Sequence, residues 1–281
     1  MGSDMALTTD SLHLVAETDA HEGPVHAADE GALYFTSLPT GGHSAIRRLD
    51  LRTRAVTTLV ADANGANGMT MDREGRLVVC EQGGLDSPAR ITRRDRATGA
   101  AETLADSRRG RRLNSPNDVV VAADGAVWFT DPSYGHLQGF RPPPELGDLV
   151  YRLDPASGEP DVVADGFDKP NGLAFSPDED VLYVTDSGRP NHVKAFDVAG
   201  VRRLAGERVF AVTGPGFPDG IKVDAGGRVH VSAASGVLVY SPAGGRLGEI
   251  PVPGAVNFAW GAPGLLYITT DTAVWSAELG A

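Results

Sequence analysis

Short apolar runs recur along the chain, each bounded by polar residues and a glycine-rich turn. The clearest example is Leu113–Gly135, LNSPNDVVVAADGAVWFTDPSYG. Its two apolar runs are separated by an AADG turn, and this arrangement is typical of a β-hairpin. Asn117 precedes the first predicted strand and Asp131 follows the second, so we expect both residues at the same end of the hairpin.

The same hairpin pattern occurs six times in the sequence. Each copy is led by an acidic or amide residue, and these are Glu22, Asn67, Asn117, Asn171, Asp219 and Asn257. The leading residues lie 38 to 54 positions apart, and a four-stranded propeller blade takes roughly 40–50 residues. Further strand-like segments lie between the hairpins, at 45–49, 56–60, 149–153, 192–196 and 236–240. The pattern therefore predicts an all-β protein, a six-bladed β-propeller with a central metal site.

The two ends of the chain are predicted to meet in one blade. The last hairpin is followed by a single strand-like segment, 273–276, so Leu12–Val15 is needed to complete the sixth blade. No linker interrupts the repeats, and residues 1–281 are predicted to form a single domain. Residues 1–10, MGSDMALTTD, are expected to be disordered or derived from a tag.

Composition narrows the class of protein. A hydrophobic fraction of 41% allows a large core, while no apolar run reaches the ~18 residues of a membrane span. The net charge of −12 argues against a nucleic-acid partner, because nucleic acid attracts basic surfaces. Cys80, the one cysteine, cannot form an internal disulfide, and the first residues lack a signal-peptide pattern. We expect a cytoplasmic protein with a small-molecule substrate, no membrane partner and an oligomeric state that the sequence does not indicate.

The six leading residues are all oxygen donors. In a propeller the first strand of each blade lines the central channel, so these side chains are expected to converge at one mouth. Hard divalent cations such as Ca²⁺ bind carboxylate and amide oxygens. The alternative is that each residue only begins a turn, as Asn-Gly and Asp-Gly often do, and for Asn67 and Asn257 the two interpretations are balanced. A donor at the head of every blade favours the metal site.

Four motifs carry a resemblance to a known family. They are Glu22–Pro24 (EGP), Ser115–Val120 (SPNDVV), Trp128–Gly135 (WFTDPSYG) and Pro218–Gly220 (PDG). As a set they resemble the regucalcin (senescence marker protein), gluconolactonase and diisopropyl-fluorophosphatase propellers, most closely the bacterial gluconolactonases. The resemblance covers nearly the whole chain. Ser115 stands where regucalcins have an arginine, so a regucalcin-like sugar contact is missing.

The resemblance implies a set of metal ligands. A divalent ion, usually calcium, would be held by Glu22, Asn171 and Asp219, with Asn117 as a fourth ligand or a substrate contact. Zn²⁺, Mn²⁺ and Mg²⁺ are alternatives. The family uses the equivalent of Asp219 both as a ligand and as a nucleophile or base, so Asp219 is the first candidate for the general base.

Several further residues are candidates on position alone. Asp118 and Asp131 are the next catalytic candidates. The alternatives are that Asp118 only forms hydrogen bonds within its loop and that Asp131 only starts a turn. Tyr134, Asn67 and Asn117 are candidate substrate contacts. His136 follows the Asp131 loop and is either another such contact or an exposed loop residue.

Three functions fit these features. The first is a metal-dependent hydrolase that opens a sugar or other small lactone, using a polarised carbonyl and an activated water. The second is a phosphotriesterase on the same metal site. The third, of another class, is a propeller that binds calcium or a small ligand without turnover. The presence of all four family ligand types favours an enzyme.

Overall fold

The computed structural model describes residues 12–200, 203–214 and 216–279. Within these ranges six four-stranded antiparallel sheets are formed. The chain is therefore a six-bladed β-propeller, which confirms the prediction from the repeats. The segment 1–10, expected to be disordered or tag-derived, lies outside the described residues.

Each blade is built from four strands that are neighbours in the sheet. The chain starts with β1 (Leu12–Glu17). Blade 1 contains β2 (Val25–Ala27), β3 (Ala32–Thr36), β4 (Ile46–Asp50) and β5 (Val56–Val60). Blade 2 contains β6 (Ala66–Met71), β7 (Leu77–Glu81), β8 (Arg90–Arg94) and β9 (Ala101–Ala105). A small hairpin follows, made of β10 (Ser107–Arg108) and β11 (Arg111–Arg112).

The later blades repeat this order. Blade 3 contains β12 (Val119–Val121), β13 (Val127–Asp131), β14 (Leu149–Leu153) and β15 (Asp161–Ala164), with the short helix α1 (Tyr134–Leu137) after β13. Blade 4 contains β16 (Pro170–Phe175), β17 (Val181–Asp186), β18 (His192–Ala199) and β19 (Arg203–Val212). Blade 5 contains β20 (Ile221–Val223), β21 (Val229–Ala233), β22 (Gly236–Tyr240) and β23 (Arg246–Ile250). Blade 6 contains β24 (Ala255–Trp260), β25 (Leu265–Thr270), β26 (Ala273–Glu278) and β1. No helix in the described ranges is long and apolar enough to cross a membrane.

The first and last strands close the ring. β1 pairs antiparallel with β26, from Leu12 opposite Ala277 to Glu17 opposite Ala273. This pairing confirms the predicted closure, and β1 continues two residues beyond the expected end at Val15.

The core lies between the blades. Each pair of neighbouring blades encloses one cluster of buried apolar side chains, and blade 6 packs against blade 1 in the same way. The second strands are buried on both faces, as in β7, where every residue from Leu77 to Glu81 is buried. Cys80 belongs to the cluster between blades 2 and 3 and is a buried apolar residue.

The inner strands differ from the prediction in one respect. Three leading residues precede their inner strands as expected, and these are Glu22, Asn117 and Asp219. The other three lie inside theirs: Asn67, Asn171 and Asn257. Each of these strands has a register shift at this point. A bulge adds one residue and re-aims the neighbouring side chain, so a residue inside the strand can still face the channel mouth.

Candidate active site

A pocket of about 360 Å³ lies at the mouth of the channel where the inner strands begin. Five of the six leading residues line it, one from each of blades 1 to 5: Glu22, Asn67, Asn117, Asn171 and Asp219. The side chain of Asp219 is partly buried and the other four are buried. The structure therefore brings together all four of the ligands implied by the family resemblance.

Three amide oxygens in this pocket lack hydrogen-bond partners. They are the Oδ1 atoms of Asn67, Asn117 and Asn171, and all three are buried. A buried polar atom without a partner costs about 1–3 kcal/mol. Three such oxygens in one pocket indicate that the site binds a group that oxygen atoms can coordinate. A hard cation is such a group.

Two carboxylates complete the oxygen set. Glu22 and Asp219 both line the pocket, and burial together with the charge of Glu22 raises the pKa of Asp219 well above its usual range. A hydrogen bond from Asn171 acts in the opposite direction. No group of three or more His, Cys, Asp or Glu residues suited to a metal occurs in the part of the chain that the structure describes, so amide oxygens are needed to complete a metal site here. The donor set fits a divalent cation that takes oxygen ligands.

Asn257 does not line the pocket, so the expectation of six converging oxygens is wrong at this position. Its Nδ2 donates to Glu22 Oε2 over 2.7 Å. Its Oδ1 accepts the backbone N–H of Phe258 over 2.8 Å and lies 3.3 Å from Lys222 Nζ. Asn257 therefore holds Glu22 in place and has no free oxygen to offer a ligand.

The glycines after the leading residues allow neighbouring blades to approach closely. A Cβ atom on Gly68 would lie 2.4 Å from the carbonyl oxygen of Asn117, and one on Gly172 would lie 2.5 Å from that of Asp219. Neither glycine has a positive φ. The Asn-Gly pairs are therefore not turn signals here, and the turn interpretation of Asn67 is wrong.

Buried threonines fix the backbone of the same segments. The Thr130 hydroxyl donates to the carbonyl of Asn171 over 2.6 Å, and the Thr185 hydroxyl donates to that of Asp219 over 2.8 Å. In both cases the hydroxyl belongs to the second strand of the preceding blade. Each ligand segment is thus positioned by its neighbour.

Asp118 lies outside the set of residues that line the pocket. Its Oδ1 accepts the backbone N–H of Val119 over 2.8 Å, and its Oδ2 is 3.9 Å from Lys222 Nζ. Burial raises the pKa of Asp118 to about 6, while the charge of Lys222 lowers it. The structure does not bring this carboxylate to the pocket surface.

Asp131 also lies outside the pocket. Its two carboxylate oxygens accept the backbone N–H groups of Asn114 and Ser115, each over 2.9 Å. Burial raises the pKa of Asp131 to about 7, and these two hydrogen bonds oppose that shift. Asp186 occupies the same place in blade 4 and accepts the N–H groups of Asp168 and Lys169. The shared geometry indicates that Asp131 fastens a loop.

Two of the predicted substrate contacts are on α1, and only one of them lines the pocket. Tyr134 lines the pocket, and its side chain interacts with Ser187 and Asn171. Burial raises the pKa of Tyr134 well above its usual range, so its hydroxyl stays protonated. His136 is exposed and does not line the pocket. Arg141 fastens the segment after α1, because its guanidinium donates to four backbone carbonyls.

Several lining residues were missed by the sequence reasoning. Gln82 and Ser187 line the pocket directly after Glu81 and Asp186, the last residues of β7 and β17. Side chains alternate along a strand, and the two acids turn away from the pocket to bind neighbouring groups. This alternation was the signal in the sequence that could have identified Gln82 and Ser187 as lining residues. The remaining missed residues are Pro39, Gln138, Phe217 and Pro218.

His21 also lines the pocket. Its Nδ1 lies 2.7 Å from Asp271 Oδ1, and this hydrogen bond lowers the pKa of Asp271. The bond fixes the orientation of the His21 ring beside Glu22.

Comparison with known proteins identifies the family. The family model described as SMP-30/Gluconolactonase/LRE-like region matches residues 20–272. The chain belongs to this family. The chain is similar to a gluconolactonase from Zymomonas mobilis, 36% identical over 197 residues, which cover 66% of this chain and 54% of that protein. A lactonohydrolase, oryL, from Aspergillus oryzae is 30% identical over 264 residues, covering 81% of this chain and 60% of that protein. The chain thus spans little more than half the length of these two relatives.

A solved structure of the same family matches along nearly the whole fold. A gluconolactonase from Xanthomonas campestris superimposes with a TM-score of 0.86 at 37% identity, covering 96% of this chain and 89% of that one. The resemblance indicated by the sequence motifs is therefore confirmed.

Proposed function

We propose that the protein is a metal-dependent lactonase that hydrolyses a sugar or other small lactone. The observation that carries this proposal is the meeting of three unpartnered amide oxygens with two carboxylates in one pocket. The family supports the choice of reaction, because the relatives described above are named gluconolactonase or lactonohydrolase.

The proposed ligands of a divalent cation are Glu22, Asn117, Asn171 and Asp219, and Asn67 offers a fifth oxygen. We propose calcium as the ion, since it takes six to eight oxygen ligands and accepts amide oxygens readily. Zn²⁺, Mn²⁺ and Mg²⁺ are tested as alternatives. A bound cation would polarise the lactone carbonyl and stabilise the negative charge that develops on its oxygen.

Asp219 is the proposed general base, because it is the only one of the three candidate acids that lines the pocket. It takes a proton from the water whose oxygen adds to the carbonyl carbon. The ring C–O bond then breaks, the leaving oxygen takes up a proton, and a hydroxy acid is released. Tyr134 keeps its phenolic proton and can donate a hydrogen bond to a substrate oxygen.

Lactone hydrolysis in a pH-stat tests the reaction and its metal dependence. Gluconolactone is the first substrate, assayed after dialysis against EDTA and again after each divalent ion is restored. We expect EDTA to abolish turnover and calcium to restore it. Faster hydrolysis of a phosphotriester such as paraoxon would replace the lactonase with the second candidate function. Calcium binding without turnover of any lactone would support a binding propeller.

The variant Asp219→Asn tests the base. We expect kcat to fall about 10²- to 10⁴-fold, since a positioned base contributes about that much, with an unchanged circular dichroism spectrum. Asp161→Asn is the matched control, because Asp161 is an exposed acid on the outermost strand of blade 3. Full activity in Asp219→Asn would remove this residue from the mechanism.

A further inference from the structure

Three exposed apolar side chains either line the pocket or lie close in sequence to residues that line it. Phe217 lines the pocket and is 65% exposed. Leu137 is 67% exposed and lies on α1, whose Tyr134 also lines the pocket. Leu38 is 44% exposed and directly precedes the lining residue Pro39. We call Leu38, Leu137 and Phe217 the apolar rim.

The apolar rim contains a large share of the exposed apolar side chains of the described residues. Large apolar side chains that are exposed singly need no explanation, whereas a group around a polar pocket marks a binding surface. Eight large hydrophobic side chains are exposed among the described residues, and three of them form this rim. Pro39 and Pro218 add apolar side chains to the pocket lining.

The charges of the pocket restrict the ligand further. Within the described ranges, the charged side chains that line it are the carboxylates of Glu22 and Asp219, and no arginine or lysine lines it. These carboxylates are the ligands proposed for the cation. A negatively charged substituent on a substrate would therefore meet no cationic side chain, and burying an unpaired charge is costly.

We propose that the site takes an uncharged lactone that bears an apolar substituent. The lactone group lies on the oxygen-lined floor, and the substituent lies against the apolar rim. This inference rests on the proposed lactonase function and specifies its substrate class.

A homologous series of lactones measures the contribution of the apolar rim. The probes are γ-butyrolactone, γ-valerolactone, γ-heptalactone and γ-nonalactone, which share one ring and differ in alkyl length. A methylene that leaves water completely is worth about fourfold in binding, and one that rests on a half-covered surface about twofold. We expect kcat/KM to rise about two- to fourfold for each of the first added methylenes. A γ-lactone whose side chain ends in a carboxylate should be no better than γ-butyrolactone.

Variants of the rim assign the effect to its residues. In Phe217→Ser and Leu137→Ser we expect the ratio of kcat/KM for γ-nonalactone to that for γ-butyrolactone to fall about tenfold. Leu247→Ser is the matched control, because Leu247 is 39% exposed and lies on β23, the outermost strand of blade 5. This control should keep the wild-type ratio.

The outcomes separate this inference from the proposed function. If gluconolactone is hydrolysed but kcat/KM does not rise with alkyl length, the substrate class is wrong and the lactonase stands. If no lactone is turned over after calcium is restored, both fail. If light scattering shows that the rim variants dissociate an oligomer while the alkyl preference is unchanged, the rim is a self-association surface and the inference is overturned.

Discussion

At the scale of single residues, the partners of each oxygen decide its role. Asp131 and Asp219 both lie at the end of the propeller that carries the pocket. The carboxylate of Asp131 is occupied by two backbone N–H groups, while Asp219 faces the pocket beside Glu22. A carboxylate that already accepts two charge-assisted hydrogen bonds is a poor acceptor for a proton from substrate water. The two aspartates should therefore respond differently to the same substitution.

We expect Asp131→Asn to affect stability and Asp219→Asn to affect turnover. In Asp131→Asn, an amide NH₂ would face the N–H of Asn114 or Ser115, so one donor loses its acceptor. The free energy of unfolding should fall by about 1.5–3 kcal/mol, the range for hydrogen bonds to charged groups. Denaturant titration at constant calcium measures it, and turnover is expressed per folded molecule. Lost turnover at wild-type stability would return Asp131 to the catalytic candidates.

At the scale of elements, the inner strands act as a set that is fixed from blade to blade. Gly68 gives room for the backbone of Asn117, and its own N–H donates to the Asn117 carbonyl over 2.7 Å. Thr130, on the second strand of blade 3, binds the carbonyl of Asn171 in blade 4. The position of each of these candidate ligands therefore depends on the blade that carries the previous one.

We expect Gly68→Ala to disturb the site although residue 68 carries no ligand atom. Its Cβ would lie 2.4 Å from the Asn117 carbonyl oxygen and 2.6 Å from the Asp118 Cα, so the backbone must move. Overpacking of this kind costs about 1–3 kcal/mol. Calcium affinity, measured by calorimetry, should fall about tenfold if about 1.4 kcal/mol of that strain is relieved in the metal-free state.

Gly214→Ala is the matched control for this substitution. Gly214 is exposed, has no positive φ, and a Cβ there would meet no atom within 4 Å. Unchanged calcium affinity and thermal stability in both variants would contradict the coupling between blades.

At the scale of the whole molecule, ring closure holds the five blades that line the pocket at fixed distances. β1 supplies the outermost strand of blade 6, and blade 6 packs against blades 5 and 1. Leu12 and Val15 contact the two clusters on either side of that blade. We propose that the described residues fold as one unit for this reason.

Removal of β1 should open the ring. A chain that begins at residue 18 would leave the β26 edge unpaired and would expose the apolar surface that β1 covers. We expect a loss of cooperative thermal unfolding, a tendency to aggregate, and loss of calcium binding, followed by calorimetry and light scattering. A chain that begins at residue 12 keeps β1 complete and is the control. Wild-type melting of the shorter chain would show that closure contributes little.

The sequence by itself determined the architecture and the donors available to the site. The hairpin repeat is a local pattern, because strands and turns are set by neighbouring residues. Segments such as Val56–Val60 and Gly236–Tyr240 were therefore located to the residue. The same repeat predicted the closure by the N-terminal strand and the residue that leads each blade.

Only the tertiary structure decided which of those donors are free. The amide of Asn257 is used by Glu22, a residue 235 positions away, and the carboxylate of Asp131 is used by a loop 16 and 17 positions earlier. Bulges in β6 and β16 turn Asn67 and Asn171 towards the pocket. The first of these partners is set by the packing of two blades that are distant in sequence. The second is set by the way the loop before β12 folds onto the end of β13. The alternation of apolar and polar residues contains neither partner.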